Sequence, residues 1–409
     1  MTNTLIVDNF LIFKHIEIDI KRYNVFIGPQ ASGKSVVAKI LYLFYHFPNT
    51  CFSLINKTKR EIKNEMVSTF KQIFPENVWK KQQFRIELKT DKGVLAYRHD
   101  ANKRLVFYIS EQYDVLLKAL KKEYTKKFGS STDNINLNIL NIYNTLKTAL
   151  DNKDWGLITN AGSCCFIPAD RSFFATLKEI VFTLMLNDVS IDYFIKQYGS
   201  EYEFLKRVNI GSSKYKNKQK ELINGLYKMK DSKEYIHAER IDKSFDVEVS
   251  FASSGQQELL PILVKMFLSA RSFNIIEEPE SHIYPESQYS LMRFIVSRRE
   301  PNDPETAFLF TTHSPYILTS INNLAYAGKL EEQFTASSQK EKLEILDKLY
   351  SKEERIPVGS LSAYMFTNGT VKSIIDKETN LINAEELDSI SEKIASDFTS
   401  LVDLECDEV

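Results

Sequence analysis

An α/β fold, with an antiparallel β meander and an inserted helical lobe, is what this sequence predicts on three observations. A short apolar strand, Tyr23–Ile27, enters a turn with a glycine at each end and leaves it into the long apolar run Val36–Phe47, interrupted only by Lys39 and His46. In the last third of the chain, strand-like runs alternate with helical ones, as they do where crossover connections build a parallel sheet. Three short alternating runs and a long, polar-spaced helical pattern lie between these two parts.

Taken in order, Thr4–Val7, His15–Ile20 and Tyr23–Ile27 are rich in β-branched and aromatic residues and read as strands. Val36–Phe47 lacks alternation and is long enough for a buried helix. Phe84–Leu88, Val94–Arg98 and Leu105–Ser110 alternate and are separated by polar turns, which predicts the meander. From Glu111 to about Leu150, and from Phe173 to Met229, spaced Leu, Ile and Phe predict helices, with one strand at Cys164–Ile167 before Pro168. Strands return at Tyr235–His237, Phe245–Phe251, Phe273–Ile276 and Ala307–Phe310, with helices at Glu258–Arg271 and Pro285–Arg298. Asn368-Gly369 marks a tail hairpin between Ala363–Thr367 and Val371–Ile375, ahead of an amphipathic helix at Ala384–Leu401.

Composition narrows the function classes. Hydrophobic residues make up 43% and charged residues 26%, the balance of a globular chain rather than a disordered or fibrous one. Lys plus Arg (53) against Asp plus Glu (54) leaves a net charge of -1, so nucleic acid would have to be met by a local patch. Cys51, Cys164, Cys165 and Cys406 have no spacing that suits a disulfide framework or a zinc site, and read as reduced thiols. The longest apolar run carries Lys39 and His46 and is too short for a membrane span, and Met1–Phe10 has no basic start to a signal sequence. These readings predict a cytoplasmic protein without a membrane partner.

Gly28-Pro29-Gln30-Ala31-Ser32-Gly33-Lys34-Ser35 fits the spacing G-x-x-x-x-G-K-[ST] between a strand and a helix, the context that motif requires. Glycines let successive N–H groups curl around a phosphate at a helix N-terminus; Lys34 would reach the β- and γ-phosphates, and the Ser35 hydroxyl would ligate Mg²⁺. Asn274-Ile275-Ile276-Glu277-Glu278-Pro279 is an apolar strand ending in two carboxylates. Glu277 is placed to hold Mg²⁺ and Glu278 to polarise an attacking water. The strand Phe308–Phe310 leads into Thr311-Thr312-His313-Ser314-Pro315, and a histidine just past a strand's carboxyl end can sense a γ-phosphate. Ala252-Ser253-Ser254-Gly255-Gln256-Gln257-Glu258 opens an apolar helix, either as a plain N-cap or as an anion nest.

The order GPQASGKS, ASSGQQE, NIIEEPESHIYPE, TTHSPYIL resembles the ABC-type ATPase heads of the SMC, RecF and OLD group. It is most similar to the OLD-like ATPases of bacterial anti-phage cassettes, such as the AriA and PtuA types. The opening VDNFLIF resembles the N-terminal strand of such heads, and SAYMFTNGTVKSIID their tail strands. Residues 1–48 and 235–330 carry the likeness. The resemblance implies an α/β P-loop NTPase of ABC-ATPase head type that hydrolyses ATP with Mg²⁺. ATP would be sandwiched between two copies: Gly28, Gln30, Ala31, Ser32, Gly33, Lys34 and Ser35 hold it in one, and Ser253 and Gly255 of the other touch its γ-phosphate. Glu278 would be the general base and His313 the switch histidine. Ala252 and Ser254 stand for the usual Leu and Gly of that signature, and Glu277 for the usual Asp, all tolerated in OLD-like heads.

On this reading residues 1–110 form the first part of the head, 111–234 the helical lobe, 235–330 the second part of the head, and 331–409 a hairpin with an acidic helix. A homodimer or higher oligomer would control a separate effector, such as a nuclease, in anti-phage defence. The competing reading is a RecF- or SMC-like repair ATPase clamped on DNA. Residues 36–252 carry no sustained heptads, so a compact insertion is expected. Gln82 and Gln83 offer a Q-loop glutamine or plain surface residues. Arg171, in Cys164–Arg171, would couple the lobe to the nucleotide or pair with Asp170 or another carboxylate. The basic residues between Lys206 and Lys233 form a solvated face or a DNA-backbone contact, and the acidic run after Asp376 solvates a helix or docks a basic partner. Residues 314–409 show no strand-borne carboxylate set of the Toprim nuclease kind.

Overall fold

The computed structural model describes residues 3–100, 104–128, 164–175, 191–206, 215–231, 233–240, 243–268, 273–298 and 306–383, with positions 396 and 399. In chain order its main elements are β1 (Asn3–Phe10), β2 (Phe13–Ile20), β3 (Tyr23–Ile27), α1 (Lys34–Tyr45), α2 (Phe47–Ser53), α3 (Lys59–Ile73), α4 (Glu76–Trp79), β4 (Phe84–Thr90), β5 (Gly93–His99), β6 (Leu105–Ile109) and α5 (Glu111–Phe128). Next come β7 (Cys164–Ile167), α6 (Tyr193–Leu205), α7 (Lys216–Ile223), β8 (Leu226–Lys230), β9 (Lys233–Arg240), β10 (Lys243–Glu248) and α8 (Ser254–Leu268). The last are β11 (Phe273–Glu277), α9 (Pro285–Ser297), β12 (Ala307–Thr312), α10 (Pro315–Ala336), α11 (Lys340–Leu349), β13 (Leu361–Thr367) and β14 (Thr370–Ser373).

The central sheet runs β14-β13-β3-β12-β11-β7, parallel throughout except for the β14 edge. A second, antiparallel sheet runs β2-β1-β4-β5-β6. Helix α1 packs beneath β7, β11 and β12, and joins one apolar core with both sheets, α2 and α3. That double burial is why Val37–Phe44 is apolar at every position but Lys39, with Val37, Ala38, Ile40 and Leu41 wholly enclosed. Phe10, Phe70, Trp79, Phe84 and Tyr97 fill the space under the antiparallel sheet with edge-on and tilted ring contacts. Thr58 and Glu61 start α3 with a reciprocal capping box. The opposite face of the central sheet carries a second core formed with α8, α9 and α10.

The strand–turn–helix unit, the meander, the Cys164–Ile167 strand and the tail hairpin are found where the sequence places them. Three features differ. Residues 226–230, inside a run that reads as helical, form β8 and pair with β9. Asn224 ends α7 in the left-handed region (φ 49°), and a side chain on Gly225 would lie 2.6 Å from Ile236 Cγ2, so the chain turns there into a sheet. Val249–Phe251 is a 3-10 turn rather than the end of a strand. Helices α2, α3, α4, α10 and α11 have no counterpart among the sequence-based expectations. Most of the lobe between 129 and 214 lies outside the described residues, as does the acidic tail beyond 383 apart from positions 396 and 399.

No helix among the described residues is long and apolar enough to cross a membrane. Cys51, Cys164 and Cys165 are free and buried. Burial holds the His46 imidazole, stacked on Tyr42, down to about 4 from its ordinary 6.5. An unfolded chain binds this proton below pH 6.5 whereas the folded one does so only near 4, so stability falls as pH drops through that window. Thermal melting at pH 7 and pH 4.5 should show a smaller acid-induced loss in His46→Gln than in the wild type.

Candidate active site

The phosphate loop links β3, buried at every residue, to α1. Gly28 (φ 151°) and Gly33 (φ 99°) lie in backbone regions that side chains rarely enter, and Ala31 is left-handed at φ 60°. Space enforces the glycines as well. A Cβ on Gly28 would fall 2.2 Å from the Phe366 carbonyl oxygen, and one on Gly33 would fall 2.3 Å from the Phe13 ring. The β13–β14 hairpin and the turn between β1 and β2 therefore brace the back of the loop, while Gln30, Ala31 and Ser35 stay exposed on its outer side. Lys34 is buried, and its ammonium donates to the carbonyls of Gly28 (2.7 Å) and Pro29 (2.8 Å). Burial lowers its pKa, and Glu278 and Glu280 counter that effect.

Parallel pairing brings the other predicted residues to the same sheet edge. β12 lies between β3 and β11, so the carboxyl ends of all three strands meet. Glu277, the last residue of β11, stands beside the Ser35 side chain, and burial raises its carboxyl above the usual range although Ser35 and Lys39 act the other way. Its Oε1 is buried without a hydrogen-bond partner. A buried, orphaned carboxylate oxygen beside a hydroxyl suits a divalent cation, so Ser35 and Glu277 fit Mg²⁺ carried in with a triphosphate. Among the described residues no group of three or more His, Cys, Asp or Glu side chains could hold a metal unaided.

Glu278 has a left-handed backbone (φ 41°), and its N–H donates to the Thr311 carbonyl (2.9 Å). That twist turns its carboxylate out of the sheet edge to 3.6 Å from His313 Nε2. Sequence reasoning missed Glu280. Its Oε1 accepts both the His313 N–H (2.7 Å) and the Thr312 hydroxyl (2.8 Å), and so fixes the segment that carries the histidine. The only available signal was a third acid in Glu277-Glu278-Pro279-Glu280. Ser314 caps α10 and donates to Gln288 (2.6 Å).

Ser253 and Gly255 take another place. They line a cavity of about 530 Å³ with Ile236, Phe245, His282 and Tyr284, and no phosphate-loop residue shares its wall. Ser253 is exposed and exchanges hydrogen bonds with Gln256, a cap for α8. A side chain on Gly255 would lie 2.9 Å from the His282 carbonyl, so this glycine lets α8 approach the loop after β11. Arg171 pairs with Glu258 (3.3 Å), not with Asp170, and is fully buried. Gln82 bonds the Leu11 backbone through both ends of its amide, which is a bracing role.

Within the basic stretch, Lys206 is buried against Glu203 and Glu234, Lys218 pairs with Glu221, Lys220 with Glu239, and Lys233 with Glu248. Arg207 and Lys214 lie outside the described residues.

Two family models match this chain. Residues 1–164 match one described as "AAA ATPase domain", and residues 174–319 match one described as "AAA domain, putative AbiEii toxin, Type IV TA system". No curated protein matches. Among solved structures the chain is similar to the SmcHead bound to the C-winged helix domain of ScpA, at 11% identity and TM-score 0.42 over 91% of this chain and 96% of that one. It is also similar to the SMC head domain from Thermotoga maritima, at 12% and 0.37 over 91% and 98%. A third is the Smc head domain with an extended coiled coil bound to the C-terminal domain of ScpA derived from Pyrococcus furiosus, at 12% and 0.39 over 96% and 99%. Strand order and phosphate loop give this chain the α/β fold of a P-loop NTPase, and both family matches are to AAA domains, the class of ATPases.

Proposed function

We propose that this chain is an ATP-hydrolysing head of ABC type that closes with a second copy over shared ATP and uses the nucleotide state to control a separate effector in anti-phage defence. The observation that carries the reading is the meeting of Lys34, the Ser35–Glu277 pair and the Glu278–His313 pair at the carboxyl ends of three adjacent strands. Bound Mg²⁺ would neutralise charge on the phosphates. Lys34 would exchange its loop carbonyls for phosphate oxygens, Glu278 would orient and deprotonate the attacking water, and His313, held by Glu280, would face the γ-phosphate.

Assembly is supported by what surrounds Ser253. Phe251 is 80% exposed and Tyr284 74%, large apolar groups beside the α8 start. The AbiEii toxin wording of the second family description supports a defence setting, and an effector such as a nuclease is the chemistry that setting calls for.

Light scattering with ATP and Mg²⁺ tests the composite site. The mass should double for Glu278→Gln with ATP and should not for the same variant carrying Ser253→Arg. An unchanged mass with ATP in the first, or a doubling in the second, would defeat the shared-site reading.

A further inference from the structure

Arg171 follows β7, the strand beside β11, and no atom of its side chain meets solvent. An arginine taken wholly out of water loses its hydration, and only partners for its N–H groups and its charge offset that loss. Here they are met by the turn after β7, by α8 and by the end of β11. Nε–H lies 3.2 Å from the Glu258 carbonyl oxygen, with Glu258 Oε2 at 3.3 Å. Nη1 donates to the carbonyls of Pro168 (2.8 Å) and Glu277 (2.6 Å), and Nη2 to that of Glu278 (3.0 Å). Glu258 is itself buried, and its Oε1 accepts the Ser172 N–H (3.1 Å), which fixes it against the same turn.

Glu258 sits one turn into α8, the helix that opens at Ser253–Gly255. Glu277 and Glu278 are the two carboxylates of the site. Glu278 is left-handed, a conformation that is costly for a non-glycine residue and survives only where neighbours hold it from several sides. Thr311 O holds its N–H, and Arg171 holds its carbonyl. The guanidinium thus touches both the Glu278 backbone and Glu258 of α8.

We infer that Arg171 is a positioning residue that couples the start of α8 to the Glu277–Glu278 backbone, so that contact at Ser253–Gly255 sets the aim of the Glu278 carboxylate. The inference rests on the ATPase reading above. A planar guanidinium reaches several carbonyls at once; a lysine keeps the charge beside Glu258 but offers a single ammonium.

Arg171→Lys and Glu258→Gln are compared with the wild type in steady-state ATP turnover, nucleotide titration, thermal melting and amide exchange. For both, kcat should fall roughly 10- to 100-fold, the range expected when a catalytic group is displaced by about 1 Å, with KM and ATP affinity within about 3-fold. Exchange at the Glu278 amide should quicken in Glu258→Gln, although Glu258 lies on another element. Unchanged kcat with unchanged exchange at Glu278 overturns the inference, as does a rise in KM at constant kcat or a loss that merely tracks the unfolded fraction. Glu258→Gln decides by the same readouts where the lysine variant does not fold. A wild type without turnover overturns the underlying ATPase reading, whereas an active wild type with unaltered variants overturns this inference alone.

Discussion

Lys34→Ala is expected to weaken ATP binding by at least roughly 100-fold, since charge-assisted hydrogen bonds contribute about 1.5–3 kcal/mol each and this ammonium would make more than one. The residue is buried at the base of the loop, with its ammonium already bonded to two loop carbonyls. Truncation leaves those carbonyls short of a donor, so some loss of melting temperature accompanies the loss of binding. Titration calorimetry with ATP and Mg²⁺ separates the two effects, because a folded variant still gives a cooperative melt. An affinity within about 3-fold of the wild type, on a folded protein, would show that the loop does not hold the triphosphate in this way.

Glu278→Gln should do the reverse: keep ATP binding within about 3-fold and cut turnover roughly 10²- to 10⁴-fold, the range a general base supplies. The amide keeps the size of the side chain and its place near His313 and Ser281, but it cannot take a proton. With hydrolysis slowed, ATP-engaged assemblies should persist from seconds into minutes or longer, which single-turnover kinetics and chromatography both read. A variant that retains a third or more of wild-type turnover would remove Glu278 from the role of base. The same change at Glu277 should act differently. Its orphaned oxygen beside the Ser35 side chain suits the cation, so Glu277→Gln should raise the Mg²⁺ concentration needed for activity.

Much of this site was legible before any fold was known, because its parts are local. A glycine-bounded turn between a strand and a helix, an apolar strand ending in two acids and a histidine after another strand each carry their chemistry within about ten residues. Glu280 was not legible: a third acid after two others looks like a solvated turn until the Thr312 hydroxyl and the His313 amide are seen on it. Arg171 was visible as a residue but not by partner, since Glu258 is far from it in sequence. β8 was misread as helix because its lysines and apolar residues suit either period over so short a run.

By itself, the amino-acid order determined the strand–turn–helix of the phosphate loop and the strands that carry the two acids and the histidine, and which side chains are equipped for triphosphate chemistry. Those properties arise from neighbours along the chain: backbone freedom at Gly28 and Gly33, and apolar periodicity in β3 and α1. Only the tertiary structure decided that β13 lies beside β3, that β12 brings His313 to Glu278, and that one buried guanidinium joins α8 to the backbone carbonyls of Glu277 and Glu278. The physical reason is that parallel pairing and buried charge compensation unite residues whose separation in sequence leaves no periodic trace, and the choice among partners is made by the packing of the whole core.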